Sequence, residues 1–167
     1  MLRLFKPTLL ALLAVVTALV QSVFAAEPAA STRAEDTVAI QQLIVKYAHS
    51  YDALDVEGYV SVFADDASFK FVGNDLHGKD AIRKFITAAK ERKDSAPATD
   101  KPTKSFHSIT NTLIEFTSAT EAHHRSYWQI ISGPAGGPFT VSNAGTYDDI
   151  VVKRNGKWLI QSRTIPQ

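Results

Sequence analysis

Apolar residues between positions 40 and 51 recur with the period of an α-helix. They are separated by three or four residues, which places them in one stripe along a helix. The residues of this stripe are Ile40, Leu43, Ile44, Tyr47, Ala48 and Tyr51. Asp36 or Thr37 could cap the start of the helix, which we expect to run to about Leu54. The stripe predicts that one face of this helix is buried.

The same face becomes acidic towards the C-terminal end of the helix. Asp52 lies one turn beyond Ala48, and Asp55 lies one turn beyond Tyr51. An unpaired buried carboxylate is costly, so Asp52 requires either solvent or a partner from another part of the chain.

The remaining pattern predicts two further helices, followed by strands. Asp55 could cap a short helix that extends through Phe63, and residues 79–93 carry apolar side chains at helical spacing. Alternating or β-rich segments predict strands at 67–72, 105–116, 121–132, 139–154 and 157–165. Asn155-Gly156 is a strong hairpin signal between the last two. Helices first and strands afterwards predict an α+β fold, in which a curved, mainly antiparallel sheet wraps around the N-terminal helices.

Composition and the N-terminus limit the class of protein. The chain has 167 residues, a net charge of +1 and no cysteine, which predicts one globular domain without disulfides and without the basic surface of a nucleic-acid binder. Arg3 and Lys6 precede the apolar run 9–20, and Ala25 completes a small-residue cleavage site, as in a secretory signal peptide. An uncleaved membrane anchor is the alternative, because residues 7–24 approach the length of a span.

These features predict the organisation of the chain. We expect a signal peptide at 1–25, a flexible lead at 26–34 and a folded domain at 35–167. The mature protein is then periplasmic or secreted, with no membrane contact after cleavage.

Five histidines could supply acid-base or metal chemistry. Strand alternation places His107 on one face together with Ile109 and Asn111. The candidate metal ligands are His77, His123, His124 and Glu121. They lack the spacing of a known metal motif, and consecutive strand residues point to opposite faces. The sequence therefore predicts no metal and no cofactor.

Several short motifs together resemble a known family. The motifs are Tyr51-Asp52 with Asp55, Phe63-Xaa-Asp65-Asp66-Ala67, Gly78-Lys79-Xaa-Ala81-Ile82, His107 with Asn111, Gly145-Xaa-Tyr147-Xaa-Asp149 and Gly156-Lys157-Trp158. This combination resembles the SnoaL-like branch of the nuclear-transport-factor-2-like superfamily, which includes scytalone dehydratase, hexachlorocyclohexane dehydrochlorinase and bile-acid dehydratase. The resemblance implies a cone-shaped α+β barrel. It does not specify a substrate, because this fold hosts several kinds of enzyme and also non-enzymes.

The resemblance also implies roles for individual residues. The catalytic histidine of the family falls on His107 and the aspartate that orients it falls on Asp52, which supplies the partner that the carboxylate requires. Tyr51 corresponds to a phenol that polarises a substrate carbonyl, and Arg163 to an arginine that assists a leaving group. The alternatives are a structural His107–Asp52 pair, a core tyrosine at 51 and an exposed, salt-bridged arginine at 163.

Other positions depart from the individual enzymes. Tyr47 stands where the dehydrochlorinase has a lysine, so dehydrochlorination loses support. Ser126, Gly145 and Tyr147 stand where scytalone dehydratase has a second histidine and a Ser/Asn pair, and Phe71 replaces a tyrosine. The water-holding groups of that dehydratase are therefore not reproduced.

These considerations predict an apolar pocket around His107 and Asp52. The predicted lining is Tyr47, Phe69, Phe71, Ile109, Asn111, Tyr127, Trp128 and Tyr147. The expected activity is a cofactor-independent elimination or isomerisation of a small hydrophobic or polycyclic molecule. The alternatives are a periplasmic binding protein without turnover and a structural association module.

We also expect a homo-oligomer, most simply a homodimer. Trp128 with Ile130, or Trp158 with Ile160, could place large apolar groups on the outer face of the sheet.

Overall fold

The computed structural model describes residues 32–97 and 103–166. Its helices are α1 (Arg33–Ala53), α2 (Val56–Val60) and α3 (Gly78–Asp94). Its strands are β1 (Phe63–Phe71), β2 (Asn74–His77), β3 (Thr103–Phe116), β4 (Glu121–Pro134), β5 (Thr140–Arg154) and β6 (Lys157–Thr164). No helix in these two ranges is both long enough and apolar enough to cross a membrane.

The six strands form one sheet in the order β2-β1-β6-β5-β4-β3. Neighbouring strands are antiparallel except for β1 and β6, which are parallel. The sheet is open, with β2 and β3 at its edges. Helix α1 contacts β3 and β6, while α3 contacts β1 and β2. The predicted α+β class, with helices packed on a mainly antiparallel sheet, is confirmed.

The apolar stripe of α1 forms part of the core, as predicted. Its members Ile40, Leu43, Ile44, Tyr47 and Ala48 are all buried. Burial of each large side chain stabilises the fold by about 1.5–3 kcal/mol. Packing of this stripe therefore holds α1 on the sheet.

The start of α1 differs from the prediction. The helix begins at Arg33, inside the predicted flexible lead, and the rest of that lead, like the predicted signal peptide, lies outside the described residues. Asp36 is consequently not a cap. Its buried Oδ1 accepts hydrogen bonds from Lys153 Nζ at 2.7 Å and Trp158 Nε1 at 2.8 Å. These bonds join the first turn of α1 to β5 and β6, a contact between distant segments that periodicity cannot reveal.

The strand predictions differ mainly around the first hairpin. β1 begins at Phe63, where we expected the end of a helix, and β2 occupies residues for which we predicted no strand. β2 pairs with β1 from Phe71↔Asn74 to Ser68↔His77, because Gly73 (φ +71°) reverses the chain tightly. The Asn155-Gly156 hairpin turn is confirmed, with positive φ at both residues.

The prediction that Trp128 with Ile130, or Trp158 with Ile160, lies on the outer face of the sheet is wrong. Trp128, Trp158 and Ile160 are 8%, 6% and 0% exposed and belong to the core, and Ile130 is half-buried against it. Strand alternation turns these side chains towards the helices, where the indoles are shielded from water. The exposed large apolar side chains of β3, β4 and β5 include Leu113, Tyr127 and Val141 instead.

Candidate functional site

The C-terminal end of α1 meets the start of β3 at Asp52 and His107. Asp52 Oδ1 lies 2.6 Å from His107 Nδ1, and Asp52 Oδ2 accepts the backbone N–H of His107 at 2.8 Å. The side chains are 19% and 8% exposed, respectively. One carboxylate therefore holds both the ring and the backbone of His107, which is the partner that the position of Asp52 requires.

This contact determines the role of each ring nitrogen. An ionised carboxylate only accepts hydrogen bonds, so Nδ1 of a neutral His107 carries the proton and Nε2 keeps a lone pair. Such a ring can accept a proton at Nε2. The negative charge of Asp52 then stabilises the imidazolium that forms.

A cavity of about 600 Å³ opens beside this pair. Its size falls within the range of small-molecule sites. Its lining residues are Tyr51, Asp52, Leu54, Lys93, Thr103, Lys104, Ser105, Phe106, His107 and Ile130. These residues come from the ends of α1 and α3, the start of β3 and the facing part of β4.

Tyr51 lies edge-on to His107, with ring centroids 5.1 Å apart. Burial raises the pKa of Tyr51, and the neighbouring Tyr47 acts in the same direction. The phenol is therefore protonated at neutral pH and can donate a hydrogen bond to a ligand oxygen. No hydrogen bond of its hydroxyl is found within the described ranges.

Arg163 is engaged in a separate, fully buried network. Its Nε and Nη2 donate to the two carboxylate oxygens of Asp149 at 2.8 and 2.6 Å, and His124 Nδ1 lies 2.7 Å from Asp149 Oδ2. Arg163, Asp149 and His124 are all 0% exposed. The exposed salt bridge offered as the alternative for Arg163 is wrong, because strand register sets Arg163 opposite Asp149 in the interior.

Two tyrosines enclose the guanidinium of Arg163. Its Cζ lies 3.9 Å from the ring centroids of both Tyr47 and Tyr147. Burial by itself raises the pKa of Asp149, but the charge and hydrogen bonds of Arg163 outweigh burial and the net pKa is lowered. The network is thus an ionised pair between aromatic rings. Arg163 does not line the cavity beside His107.

Most of the other predicted pocket residues do not line this cavity. Tyr47, Phe69 and Tyr147 are buried in the hydrophobic core, and Phe71 and Ile109 pack against that core. These five side chains therefore contribute to the packing of the fold and not to the surface of the cavity.

Trp128 is the predicted lining residue nearest to the pair. Its ring centroid lies 6.4 Å from that of His107, and it stacks on Tyr147 at 5.8 Å. A Cβ on Gly145 would come within 2.7 Å of Trp128 Cζ2, so only glycine at this position leaves room for the indole. This close approach explains why Gly145 stands opposite Trp128 in the sheet.

Tyr127 and Asn111 lie away from the cavity, so their predicted placement is wrong. Tyr127 is 55% exposed, since its neighbour Trp128 takes the inner face. Asn111 has φ +52° where the β3–β4 register shifts between Thr110 and Leu113, and this irregularity interrupts the alternation that placed it beside His107. Both residues border a different depression.

Sequence reasoning missed several residues that do line the cavity. These are Leu54, Lys93, Thr103, Lys104, Ser105, Phe106 and Ile130. Most stand at the ends of elements, where periodicity carries little information. Ile130 could have been found, because its strand position opposes His107. His124 and Asp149 could also have been suspected, because each interrupts the apolar face of its strand.

Comparisons with known proteins identify the family and agree with the fold. The family model described as a SnoaL-like domain matches residues 32–164. A solved structure of a variant of a Mycobacterium tuberculosis protein of unknown function has a TM-score of 0.67 and 25% identity, covering 80% of this chain and 77% of that chain. A search of curated proteins found no match.

Two further solved structures share the fold. A candidate scytalone dehydratase from Novosphingobium aromaticivorans has a TM-score of 0.63 and 24% identity, covering 78% of this chain and 82% of its own. A protein from Catenulispora acidiphila, solved in complex with S-DNPA, has a TM-score of 0.65 and 22% identity, covering 80% of this chain and 95% of its own. Because the family model spans most of the chain and the six-stranded α+β architecture agrees with it, this chain belongs to the family of SnoaL-like domains.

Proposed function

We propose that the protein is a cofactor-independent lyase or isomerase that acts on a small hydrophobic or polycyclic carbonyl compound. The observation that carries the proposal is the contact of Asp52 with both the ring and the backbone of His107, beside an open cavity. In this role His107 is the general base, Asp52 orients it, and Tyr51 donates a hydrogen bond to the substrate oxygen.

The proposed reaction begins with proton removal from a carbon next to the carbonyl. The C–H bond breaks, the proton goes to Nε2 of His107, and the electron pair moves into an enolate whose oxygen faces Tyr51. In an isomerisation, the imidazolium returns the proton to another carbon. In an elimination, the enolate expels a hydroxyl group, which takes the proton from the imidazolium and leaves as water. Both routes restore neutral His107.

Proton exchange tests this proposal without knowledge of the substrate. The bicyclic ketone 2-tetralone is incubated with the protein in deuterated water, and loss of its α-proton signals is followed by NMR. Exchange faster than in buffer supports the general-base role. Binding of the ketone without faster exchange supports the alternative below.

The alternative is a binding protein of the same fold without turnover. The observation in its favour is that Asp52 also bonds to the backbone of His107, so the pair ties α1 to β3 whether or not any reaction occurs. If the pair has only this structural role, its replacement would change stability and ligand affinity, and there would be no reaction rate to reduce.

We propose export with cleavage between Ala25 and Ala26. The small residues at 23 and 25 fit the cleavage rule, so the exported protein is expected to begin at Ala26. N-terminal sequencing and mass spectrometry of the exported protein check this. An Ala25→Arg variant is the control, because a large charged residue should block cleavage. An intact Met1 in the membrane fraction of the wild type would contradict the prediction.

We also propose that the protein is a homodimer that associates through the outer face of the sheet. Leu113, Tyr127 and Val141 are 48%, 55% and 55% exposed on the adjacent strands β3, β4 and β5. Exposed apolar side chains of this kind favour association with a second copy of the chain. Light scattering at micromolar concentration is expected to give the mass of a dimer for the wild type. The same measurement is expected to give the mass of a monomer for Tyr127→Glu. A monomeric wild type would refute this assembly.

A further inference from the structure

Two lysines from different elements line the cavity that contains His107. Lys93 belongs to the last turn of α3, and Lys104 is the second residue of β3. Asp52 is the only carboxylate among the described lining residues, and it is bonded to His107. With a neutral imidazole, the lining therefore carries a net positive charge.

Neither lysine has an acidic partner within residues 32–97 and 103–166. The carboxylate next to Lys93 in sequence, Asp94, is held by Lys90 Nζ at 2.8 Å. A cation in the last turn of a helix is ordinary, because it interacts favourably with the helix dipole. That reason applies to Lys93 but not to Lys104, which reaches the same space from a strand.

The rest of the lining is largely apolar. Tyr51, Leu54, Phe106 and Ile130 provide aromatic and aliphatic surface in the same cavity as the lysines and the His107–Asp52 pair. A ligand that matches both parts has an apolar body and an anionic group. An ammonium on a flexible side chain suits a carboxylate, because it can follow the anion over several positions.

We propose that Lys93 and Lys104 bind the carboxylate of an apolar, carboxylate-bearing substrate and direct its carbon skeleton towards His107. This inference rests on the proposed function and specifies its substrate class. The lysines are specificity-determining residues and take no part in proton transfer.

Two probes of the same shape test the inference. The anion 2-naphthoate and the neutral 2-naphthamide differ in charge but share their ring system, and their dissociation constants are measured by calorimetry at low salt. Wild type is expected to bind the naphthoate about 10-fold more tightly than the amide, as two partly exposed charge contacts allow. In Lys93→Met/Lys104→Met this preference is expected to fall below about 2-fold, with amide affinity unchanged.

Matched variants separate the lysines from general charge and folding effects. Lys157→Met removes one positive charge, half of that removed by the double methionine variant, from an exposed position at the start of β6, outside the cavity, and is expected to keep the preference. Lys93→Arg/Lys104→Arg is expected to keep it as well, because the charges remain. Urea unfolding of each variant shows whether methionine has altered the fold.

Several results would overturn the inference. They are equal affinity of wild type for both probes, no measurable binding of the naphthoate, or a preference that survives in the double methionine variant. Exchange of 2-tetralone tests the proposed function separately. Faster exchange without charge preference would point to an enzyme for neutral substrates and end the inference, whereas a lysine-dependent preference without exchange would support anion binding and end the proposed reaction.

Discussion

Replacing His107 by alanine is expected to lower the rate of α-proton exchange by about 100-fold or more, while affinity for 2-tetralone stays nearly unchanged. The reason is that the imidazole supplies the only base held by a carboxylate within the cavity lining, as far as the described residues extend. NMR in deuterated water gives the rate, and calorimetry gives the affinity.

Asp52→Asn should produce a loss of similar size. Asparagine keeps the shape of aspartate, but it cannot stabilise an imidazolium and can present its NH₂ group to Nδ1. The proton of His107 could then move to Nε2, which removes the lone pair that accepts the substrate proton.

The chain offers a matched control for both variants. His123 and Asp148 form another histidine–carboxylate pair, with side chains 31% and 51% exposed and outside the cavity. His123→Ala should leave exchange at the wild-type rate. If His107→Ala exchanges as fast as wild type, His107 is not the general base.

Arg163→Met is expected to lower the free energy of unfolding by about 3–5 kcal/mol, because it leaves the carboxylate of Asp149 buried without its counter-charge. The variant also lacks the contacts that the guanidinium makes with two tyrosine rings. Urea unfolding at pH 7 measures the change. Arg154→Met is the control: Arg154 pairs with Asp66 on the surface, and its loss should change stability little.

A second variant separates the missing charge from the lost packing. Asp149→Asn/Arg163→Met removes both charges, so it should be more stable than Arg163→Met alone. Full stability together with a slower reaction in Arg163→Met would contradict this account and return Arg163 to a chemical role.

The same pair predicts how stability depends on pH. The pKa of Asp149 is lower in the folded protein than in the unfolded chain, where it is about 3.9. Its contribution to stability is therefore complete above that value and is lost as the pH falls towards the folded pKa. Asp149→Asn should show a flatter acid dependence than wild type in urea unfolding between about pH 5 and pH 2.

Local patterns were sufficient for most of the fold. The stripe of α1 and the alternation of β4 each depend on which side of an element is buried, a property that periodicity records directly. The Asn155-Gly156 turn was equally predictable, because its backbone conformation depends on those two residues. The short strand β2 was missed because only its pairing with β1 makes it a strand.

The pairing of Asp52 with His107 followed from a resemblance to a family, combined with the need of a carboxylate for a partner. Spacing alone does not predict it, since 55 positions separate the two residues. The cavity lining was mostly missed for the same reason. Its walls come from the ends of three separate elements, and the space between them exists only after these elements pack.

The sequence by itself thus determined most of the elements of this protein, the buried side of α1 and the residue types available for acid-base chemistry, because these depend on neighbours within a few positions. Only the tertiary structure decided the role of Arg163, which strand register places against Asp149 instead of the cavity. It also decided that Lys93 and Lys104 share one cavity with His107. Such contacts depend on how distant segments pack, and that information is not contained in local periodicity.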